Sequence, residues 1–558
     1  MLSTRTNPSR LRRRVLIMFQ AKTQMKSIVL LLSEMLSRGI RVWADNGRLH
    51  YHGPPGSVTL QDVEILRQRK PEITHFLERS NRYIADLPIH PRNPTDPIPL
   101  SFLQESLLLA ATMTGLSRNT RSLANAIRIS GSLDHDVLAY CFDELVKRHE
   151  ILRSRIIKNP HGVMQEITDT PGHSLEIVDL TRSTVSASQA QLQLVIEELV
   201  DQHCDPTVGP LVAARLVRVS PHDHVLVIAI DHIIGDAQSM GILSRDLWSI
   251  YLQAIRRLPR SLPDIPLQFP DFAVWQRRTD VDWMKNHGQY WRKRLRGASH
   301  TRLTVPDGSS DCTRLRATHT PIKIRRTLTE GLRELARRES TTLVMTVLAA
   351  YIAAVSRWTN ERDITVGFVR SGRTRPELDN TVGPFSFTLY LRVEVRECDT
   401  FIDLLHRVTR EYRDACEHED GGRMALQWQT AAYTKNTSFN WKPRARTVFR
   451  ENSGKAELRQ SSGNGVRVKP FPFKKAAADT EWDERVAAVD VEPGVILSES
   501  ADGISGLLWY REDRASFKTM ESFVENFGLV AQATVANPHA RVSEQMVGMV
   551  CRLSDEPS

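Results

Sequence analysis

The sequence is poor in cysteine and has no cysteine arrangement that points to a metal site or a disulfide framework. Its 558 residues include 6 cysteines, which lie far apart and form no Cys-x-x-Cys pair. Cysteine-based zinc sites and dithiol redox centres typically contain such close pairs, and small secreted scaffolds are much denser in cysteine. The pattern therefore predicts no resident metal and no disulfide framework, and it fits a reducing cytoplasm.

The N-terminus also lacks a long hydrophobic run. A basic stretch, Arg10–Arg14, precedes the short apolar segment Val15–Phe19. This segment is too short for a secretory core or a membrane span, and no small-residue cleavage site follows it. We expect residues 1–24 to be a disordered extension, with Met25 as the natural start.

The positive charge of the chain has no nucleic-acid signature. Lys and Arg number 75 against 65 Asp and Glu, which gives a net charge of +10, and the basic residues are scattered. No zinc-finger spacing or RNP-like signature appears, so we expect neither a nucleic acid nor a membrane as partner. The charge favours acidic partners, although a solvated basic surface explains it equally well.

Length and composition predict a soluble globular protein of several domains. Hydrophobic residues make up 41% of the chain and charged residues 25%, which is typical of folded soluble proteins. A chain of this length is too long for one small core and suits about two to four domains of ordinary size.

The most informative segment is an apolar run that ends close to a histidine. Val225–Ile230 contains no polar residue, which is typical of a buried strand. His232 follows where that strand is predicted to end, and Asp236 completes a His-x-x-x-Asp pattern. An imidazole in that place can take a proton from an alcohol or amine while the aspartate fixes the loop. A histidine at a strand end is more often structural, so the pattern indicates a function only together with the motifs around it.

A small unit precedes the large one. In residues 25–80, an apolar helical pattern is followed by two alternating segments around Asn46-Gly47. Asn-Gly between alternating segments predicts a hairpin, because both residues tolerate positive φ. A second helix is expected to start at Thr59, and the proline-rich residues 81–99 predict an extended linker.

The order of segments around His232 resembles the condensation domains of nonribosomal peptide synthetases. That family carries a His-His-x-x-x-Asp-Gly motif, which corresponds here to Asp231–Ala237. The further segments that resemble family motifs or their flanks are Ser101–Glu105, Gly131–Asp134, Arg148–Arg153, Phe269–Gln276, Tyr290–Leu295, Asp363–Gly367, Ser371–Arg373 and Val382–Phe385. They occur in the family's order over roughly residues 95–540.

The resemblance implies an α/β (α+β) fold of two halves, each similar to chloramphenicol acetyltransferase. Residues 100–276 would form the N-terminal half and residues 277–545 the C-terminal half of a V-shaped pseudo-dimer with the site in its cleft. Carrier proteins would bring the donor and acceptor arms from opposite faces. Residues 443–480 are expected to be a mobile loop excursion.

Roles in the site also follow from the resemblance. His232 matches the catalytically important second histidine, which would deprotonate or position the acceptor that attacks the donor thioester. Asp236 matches the motif aspartate, which is structural in the family and would pair with Arg153. Asp236 is therefore expected to be scaffolding and not a general acid.

The motif departs from the family pattern at several positions. Asp231 replaces the first histidine, and Ala237 replaces the glycine after Asp236, which is harmless only if that position does not need positive φ. Phe387 replaces an asparagine of the fifth motif and is expected to alter the cleft wall near the donor path. Asp231 and Asp236, together with Ser239, also satisfy the Asp-x4-Asp-x2-Ser signature of heterocyclisation domains. Gly235 belongs to the same turn.

The small unit resembles the N-terminal docking domains of the TubC type. In that family the hairpin captures a short acidic segment at the C-terminus of an upstream protein. Arg41, Arg48, His50 and His52 would suit such a tail. A mini-domain whose surface happens to be basic remains the alternative.

The resemblance implies an acyltransferase-type condensation enzyme that acts in trans, because neither an adenylation domain nor a carrier site follows the last motif. Its donor would be an acyl or peptidyl thioester on the phosphopantetheine of a partner carrier protein, and its acceptor an amine or an alcohol, free or carrier-bound. No cofactor would be bound by the chain itself. The alternatives are a heterocyclisation domain and a non-catalytic domain that docks carriers.

Overall fold

The computed structural model describes most of the chain between Leu31 and Ser543. The described residues are 31, 35, 40–45, 48–52, 58–74, 89–113, 122–160, 162–169, 175–182, 185–201, 205–259, 262, 264–278, 281–298, 301, 303, 317–419, 437–442, 456–458, 466–471, 493–512 and 514–543. The expected extension 1–24 and the expected start at Met25 lie outside this set.

The N-terminal unit contains a hairpin and a helix. Strand β1 (Arg41–Asp45) pairs antiparallel with strand β2 (Arg48–His52). Helix α1 (Leu60–Gln68) begins after Thr59, whose hydroxyl accepts from the backbone of Asp62 in a reciprocal capping box. The predicted hairpin and the start of the second helix are confirmed, while Asn46 and Gly47 themselves lie outside the described residues.

A small core holds this unit together. Its buried side chains are Met35, Ile40, Leu66 and Ile73. Val42 of β1 and Leu49 of β2 pack against them from the same face of the hairpin. Because side chains alternate along a strand, the intervening residues of both strands lie on the opposite face.

The first large sheet is built mainly from the N-terminal half. Its strands are β4 (Ser122–Ser130), β7 (Glu176–Asp179), β8 (Val212–Ser220), β9 (Asp223–Asp231), β14 (Ala456–Leu458) and β15 (Val466–Pro470). The order across the sheet is β14-β15-β4-β9-β8-β7. A separate three-stranded sheet contains β3 (Ile98–Pro99), β5 (Ser154–Asn159) and β6 (Gly162–Ile167).

Strand β9 is buried from His224 to Asp231, as the apolar run predicted. The helices of this half are α2 (Phe102–Met113), α3 (His135–Arg148), α4 (Val185–Asp201), α5 (Ala237–Ile255) and α6 (Phe269–Arg278). Leu226 and Ile228 of β9 belong to the cluster with α3 and α5, whereas Val225 and Val227 belong to the cluster with α4. The sheet is therefore covered on both faces, and β9 runs through its centre.

The second large sheet belongs to the C-terminal half. Its strands are β10 (Ala317–Arg325), β11 (Asp363–Arg370), β12 (Phe387–Glu394), β13 (Ser438–Lys442), β16 (Gly494–Ser500) and β17 (Gly503–Arg511), in the order β10-β17-β16-β13-β11-β12. The helices are α7 (Val281–Leu295), α8 (Arg326–Arg338), α9 (Leu343–Thr359), α10 (Phe401–Glu417) and α11 (Phe517–Ala536). Helix α9 is buried throughout Met345–Ser356, which makes it the centre of this core. The mixture of helices and sheets agrees with the predicted α/β class.

The expected loop excursion over residues 443–480 is wrong where that segment is described. Strand β15 pairs antiparallel with β4 of the first sheet, with Val468 opposite Ile129, and β14 pairs with β15. The Phe471 N–H continues this pairing by donating to the Ala126 carbonyl at 2.9 Å. A segment from the C-terminal half thus extends the sheet of the N-terminal half, because the edge of β4 offers unpaired backbone groups.

The end of the expected linker 81–99 is packed onto the N-terminal half. Arg92 donates to Asp271 at 2.9 Å and to Glu150 at 2.8 Å. Ile98 and Pro99 form strand β3 and pair with β6. Residues 89–99 are therefore fixed by contacts, while residues 81–88 lie outside the described set.

No single described helix is long and apolar enough to cross a membrane. Helices α8 and α9 pass such a test as a pair by length and composition, with a bend of 107° between them. The buried stretch Met345–Ser356 of α9 belongs to the core of the C-terminal half.

Candidate active site

The predicted catalytic histidine lies on a short turn between β9 and α5. Strand β9 ends at Asp231, and α5 begins at Ala237 with Asp236 as its N-cap. His232 is half-buried. Its Nδ1 is buried and has no hydrogen-bond partner among the described residues, whereas Nε2 is not one of the buried atoms that lack a partner. Because Nδ1 is buried, Nε2 is the ring nitrogen left for contact with another molecule.

Asp231 closes the turn on itself. Its Oδ1 accepts the Ile233 N–H at 2.8 Å, and its carbonyl oxygen accepts the Ile234 N–H at 3.0 Å. The Asp231 N–H donates to the Leu211 carbonyl at 2.9 Å. The carboxylate that replaces the family's first histidine is buried and bonded to the backbone.

Asp236 is held by a buried arginine from the C-terminal half. Arg373 Nη1 donates to Asp236 Oδ2 at 2.7 Å, and the two side chains are 0% and 1% exposed. The N–H groups of Phe385 and Ser386 donate to the same oxygen at 3.2 and 3.1 Å. Oδ1 accepts from the backbone and from the hydroxyl of Ser239, both at 2.8 Å. Both carboxylate oxygens are thus fully engaged.

These contacts keep the Asp236 carboxylate charged. Burial raises its pKa, but the Arg373 guanidinium and the hydrogen bonds from Ser239 act in the opposite direction and bring the pKa below its ordinary value. Asp236 is therefore ionised at neutral pH and has no proton to give. The geometry agrees with scaffolding and not with a general acid.

The predicted pairing of Asp236 with Arg153 is wrong. Arg153 ends the 3₁₀ turn Glu150–Arg153, and its Nη1 donates to the Thr168 carbonyl at 2.6 Å. It lies 3.8 Å from the exposed Asp169. The chain continues from Arg153 into β5 of the three-stranded sheet, whereas Asp236 faces the loop that follows β11.

The actual partner of Asp236, Arg373, was not identified from the sequence. Ser371–Arg373 belongs to the family-like pattern, but no role was predicted for its arginine. It lies in the C-terminal half, and a pairing between the halves depends on how they meet, which motif order does not reveal. Arg373 also stacks over the Phe385 ring, at 4.4 Å from its centroid.

Ser239 links the turn between β9 and α5 to the C-terminal half. Its hydroxyl accepts from the Gly383 N–H at 3.1 Å and from Arg373 Nη2 at 2.9 Å. A side chain at Gly383 would clash, because a Cβ there would lie 2.0 Å from the Phe269 ring. This close approach explains why a glycine stands beside the serine.

Gly235 and Ala237, the two small residues of the turn, stand in different surroundings. A Cβ on Gly235 would lie 2.5 Å from Ile230 Cδ1, so the turn packs too tightly for any side chain. Ala237 is exposed and starts α5. The described non-glycine residues with positive φ are elsewhere, at Arg257, Ser340 and Asn360. Alanine in place of the family's glycine therefore does not strain the backbone.

Phe387 does not form an open wall of the site. It is the first residue of β12, lies opposite Arg370 and is 5% exposed within the core of the C-terminal half. The expected change in the cleft wall is therefore not seen at this ring, because the side chain faces the core.

A buried aspartate that the sequence analysis missed ties the second motif to α5. Asp246 accepts from Arg148 Nε at 2.9 Å, from Arg245 Nε at 2.7 Å, and lies 3.1 Å from His149 Nε2. Burial raises its pKa, but His149 and the arginines outweigh that effect and lower the pKa to about 2. An aspartate on the buried face of an amphipathic helix was the available signal.

The predicted docking residues fall on one face of the hairpin by register. Position 41 pairs with position 52, Trp43 with His50, and Asp45 with Arg48. Arg48 is exposed and His50 half-buried, while the side chains of Arg41 and His52 lie outside the described set. This face is opposite to the one that packs on the small core.

Among the described residues, no group of three or more His, Cys, Asp and Glu side chains is arranged to hold a metal ion. What the site offers is one accessible imidazole nitrogen on a turn anchored by buried polar contacts. Such an arrangement suits proton transfer or hydrogen bonding to a reacting group.

We predict that Arg373→Ala destabilises the protein far more than Arg153→Ala. The first variant leaves Asp236 charged and unpaired in a buried place, which costs roughly 3–5 kcal/mol. The second removes a hydrogen bond to a carbonyl and a distant exposed charge, which costs about 1 kcal/mol. Urea unfolding of both variants measures the difference, and Asp236→Ala should match Arg373→Ala. Equal losses for the two arginines would contradict the pairing.

Two protein-family models match this chain. The condensation-domain family matches residues 95–548, and the TubC N-terminal docking domain family matches residues 28–79. A component of the linear gramicidin synthase of Brevibacillus parabrevis is 28% identical over 522 residues, which cover 92% of this chain and 10% of that protein. Phosphinothricin tripeptide synthetase PhsC of Streptomyces viridochromogenes is 33% identical over 341 residues, which cover 60% of this chain and 31% of that protein. The chain thus spans only a minor part of these relatives.

Solved structures show the same fold. The X-domain from teicoplanin biosynthesis superposes with a TM-score of 0.65 at 21% identity and covers 82% of this chain and 99% of its own. SgcC5 from Streptomyces globisporus superposes with a TM-score of 0.61 at 24% identity, and the match covers 79% of this chain and 100% of SgcC5. The first condensation domain of the calcium-dependent antibiotic synthetase superposes with a TM-score of 0.61 at 17% identity. The match covers 81% of this chain and 99% of that domain. These likenesses confirm the predicted fold class of two chloramphenicol-acetyltransferase-like halves. The chain therefore belongs to the condensation-domain family of nonribosomal peptide synthetases and carries a TubC-type docking domain in front of its condensation domain.

Proposed function

We propose that this chain joins a carrier-bound acyl or peptidyl thioester to an amine or alcohol acceptor, acting in trans on partner proteins. One observation carries the proposal. His232 offers an accessible Nε2, while the polar residues beside it, Asp231 and Asp236, are engaged in holding the turn. The histidine is thus the group of this turn that is free to act on a reactant.

In the proposed step, the nitrogen or oxygen of the acceptor attacks the carbonyl carbon of the thioester. A C–N or C–O bond forms, the C–S bond breaks, and the phosphopantetheine of the carrier leaves as a thiol. His232 Nε2 accepts the acceptor's proton or holds it by a hydrogen bond, and that proton ends on the departing sulfur. The phosphopantetheine belongs to the partner carrier, so the chain itself supplies positioning and proton handling.

Condensation is favoured over heterocyclisation by the way the acidic residues are used. The Asp-x4-Asp-x2-Ser pattern of Asp231, Asp236 and Ser239 is accounted for by structural contacts within the turn and to Arg373. Neither aspartate is left as a free base. A thiazoline product from a cysteinyl carrier would speak for heterocyclisation instead.

The docking domain supports action in trans. A domain of this kind joins separate polypeptides, and an exposed basic residue such as Arg48 on the outer face of the hairpin suits an acidic tail. We propose that the tail is the C-terminus of the upstream synthetase that presents the donor carrier. The described cysteines Cys141, Cys398 and Cys416 form no disulfide with one another, and we place the reaction in the cytoplasm, where thiols stay reduced.

We predict that His232→Ala lowers condensation by about 10²–10⁴-fold. The assay incubates the protein with a panel of acyl N-acetylcysteamine thioesters and with amine or alcohol acceptors, and measures products by mass spectrometry. His222→Ala, at an exposed histidine in the turn before β9, is the matched control and should keep full activity. If His232→Ala turns over substrate at the wild-type rate, His232 has no role in the chemical step. Carrier binding without turnover under any acceptor would favour the non-catalytic docking role.

We predict that deletion of residues 25–80 weakens use of a carrier presented on its native upstream protein but spares small thioester mimics. Tethering raises the local concentration of the carrier without changing the chemical step. Arg41→Glu combined with Arg48→Glu should reproduce the deletion and make the remaining activity less sensitive to salt. The control combines Arg67→Glu with Lys70→Glu, at exposed positions on and just after α1. Full activity of the truncated protein at low carrier concentration would refute the docking role.

A further inference from the structure

The peptide next to the catalytic histidine is held from both sides. On one side, Asp231 Oδ1 accepts the Ile233 N–H at 2.8 Å. On the other, Gln104 Nε2 donates to the Ile233 carbonyl at 3.1 Å. Ile233 directly follows His232, so these two contacts fix the backbone from which the imidazole projects.

Gln104 is itself fixed by a buried network. Its Oε1 accepts the Ser101 N–H at 2.9 Å, and its N–H donates to the Ser101 hydroxyl at 3.2 Å. Its Nε2 also donates to Gln165 Oε1 at 3.0 Å, and Gln165 Nε2 donates to the Pro99 carbonyl at 2.8 Å. Gln104 is 0% exposed and Gln165 3%. A buried amide with this many partners has one orientation, because any rotation would leave polar atoms unpaired.

We propose that Gln104 is a positioning residue for the catalytic step: together with Asp231 it clamps the Ile233 peptide and thereby sets the place of His232. The inference rests on the proposed function, because positioning matters only if His232 acts on a reactant. Gln104 touches no reacting atom, and its effect passes through the backbone. A small misplacement of a catalytic group is enough to slow a reaction strongly.

A neighbouring glutamine provides a matched control. Gln276 is 7% exposed, and its Oε1 accepts the Phe102 N–H at 2.9 Å, so it also holds backbone through a buried amide. The bond of Gln276 is to the start of α2 and not to the catalytic turn. Gln104→Met and Gln276→Met both keep side-chain volume and remove a buried amide. They separate the loss of stability, which both share, from the loss of positioning, which only the first causes.

The first measurement is independent of substrate. Amide hydrogen exchange of the full chain, followed by mass spectrometry on peptides covering residues 229–238, reports how often the turn opens. Gln104→Met should exchange faster than wild type in these peptides, whereas Gln276→Met should not. Asp231→Leu should also exchange faster, while Asp231→Asn keeps an acceptor for the Ile233 N–H and should stay close to wild type.

The second measurement is kinetic and uses the N-acetylcysteamine thioester that wild type turns over best. Gln104→Met should lower kcat by about 10- to 100-fold, with KM changed by less than about threefold. Gln276→Met should retain kcat. Asp231→Asn should keep most of the activity that Asp231→Leu loses, because the conservative change preserves the clamp.

Hydrogen exchange and kcat together distinguish a positioning role of Gln104 from a role in packing alone. Faster exchange in the turn together with a fall in kcat in Gln104→Met alone supports the clamp. Equal behaviour of the two glutamine variants in both measurements overturns it. If Gln104→Met does not fold, the comparison of Asp231→Asn with Asp231→Leu decides, and equal exchange and kcat in these two contradict the proposal. If wild type shows no turnover, the proposed function fails, and hydrogen exchange alone still shows whether the turn is clamped.

Discussion

The buried ion pair between Asp236 and Arg373 is the interaction on which the site depends. Removing two charges from water is expensive, so such a pair persists only where further hydrogen bonds complete it. Here Ser239, Phe385 and Ser386 supply those bonds, at 2.8 to 3.2 Å from the carboxylate. The pair lies between the turn after β9 and the loop after β11, so it joins the two halves of the domain at the turn that carries His232.

In the same turn, most residues hold the backbone in place, and one side chain is left to contact a reactant. Asp231 and Asp236 bond to the backbone and to Arg373, and Gly235 packs against Ile230. His232 is the exception, since its Nδ1 has no partner among the described residues and its Nε2 is accessible. Functional groups work best when rigid surroundings position them and leave the reacting atom free. The departures from the family motif at Asp231 and Ala237 preserve this arrangement.

The sequence predicted local features well. The apolar run of β9, the hairpin and the cap of α1 depend on neighbouring residues, and each was found from its pattern. Contacts between distant segments were not, because motif order says nothing about which side chains meet. Arg153 was paired with Asp236 in place of Arg373, the role of Asp246 was missed, and Phe387 was expected to line the cleft. The strand at Val466–Pro470 was expected to be a loop, since a strand that completes a distant sheet needs little apolar pattern of its own.

The most direct test of this account is a double-mutant cycle on the pair that joins the halves. Asp236→Asn, Arg373→Gln and the double variant are unfolded in urea, and their free energies of unfolding are compared with that of wild type. The account predicts that the double variant loses less stability than the sum of the single losses, by about 1–3 kcal/mol, because each single change leaves a buried charge unpaired. Strictly additive losses would show that the two residues do not depend on each other and would contradict the central role of this pair.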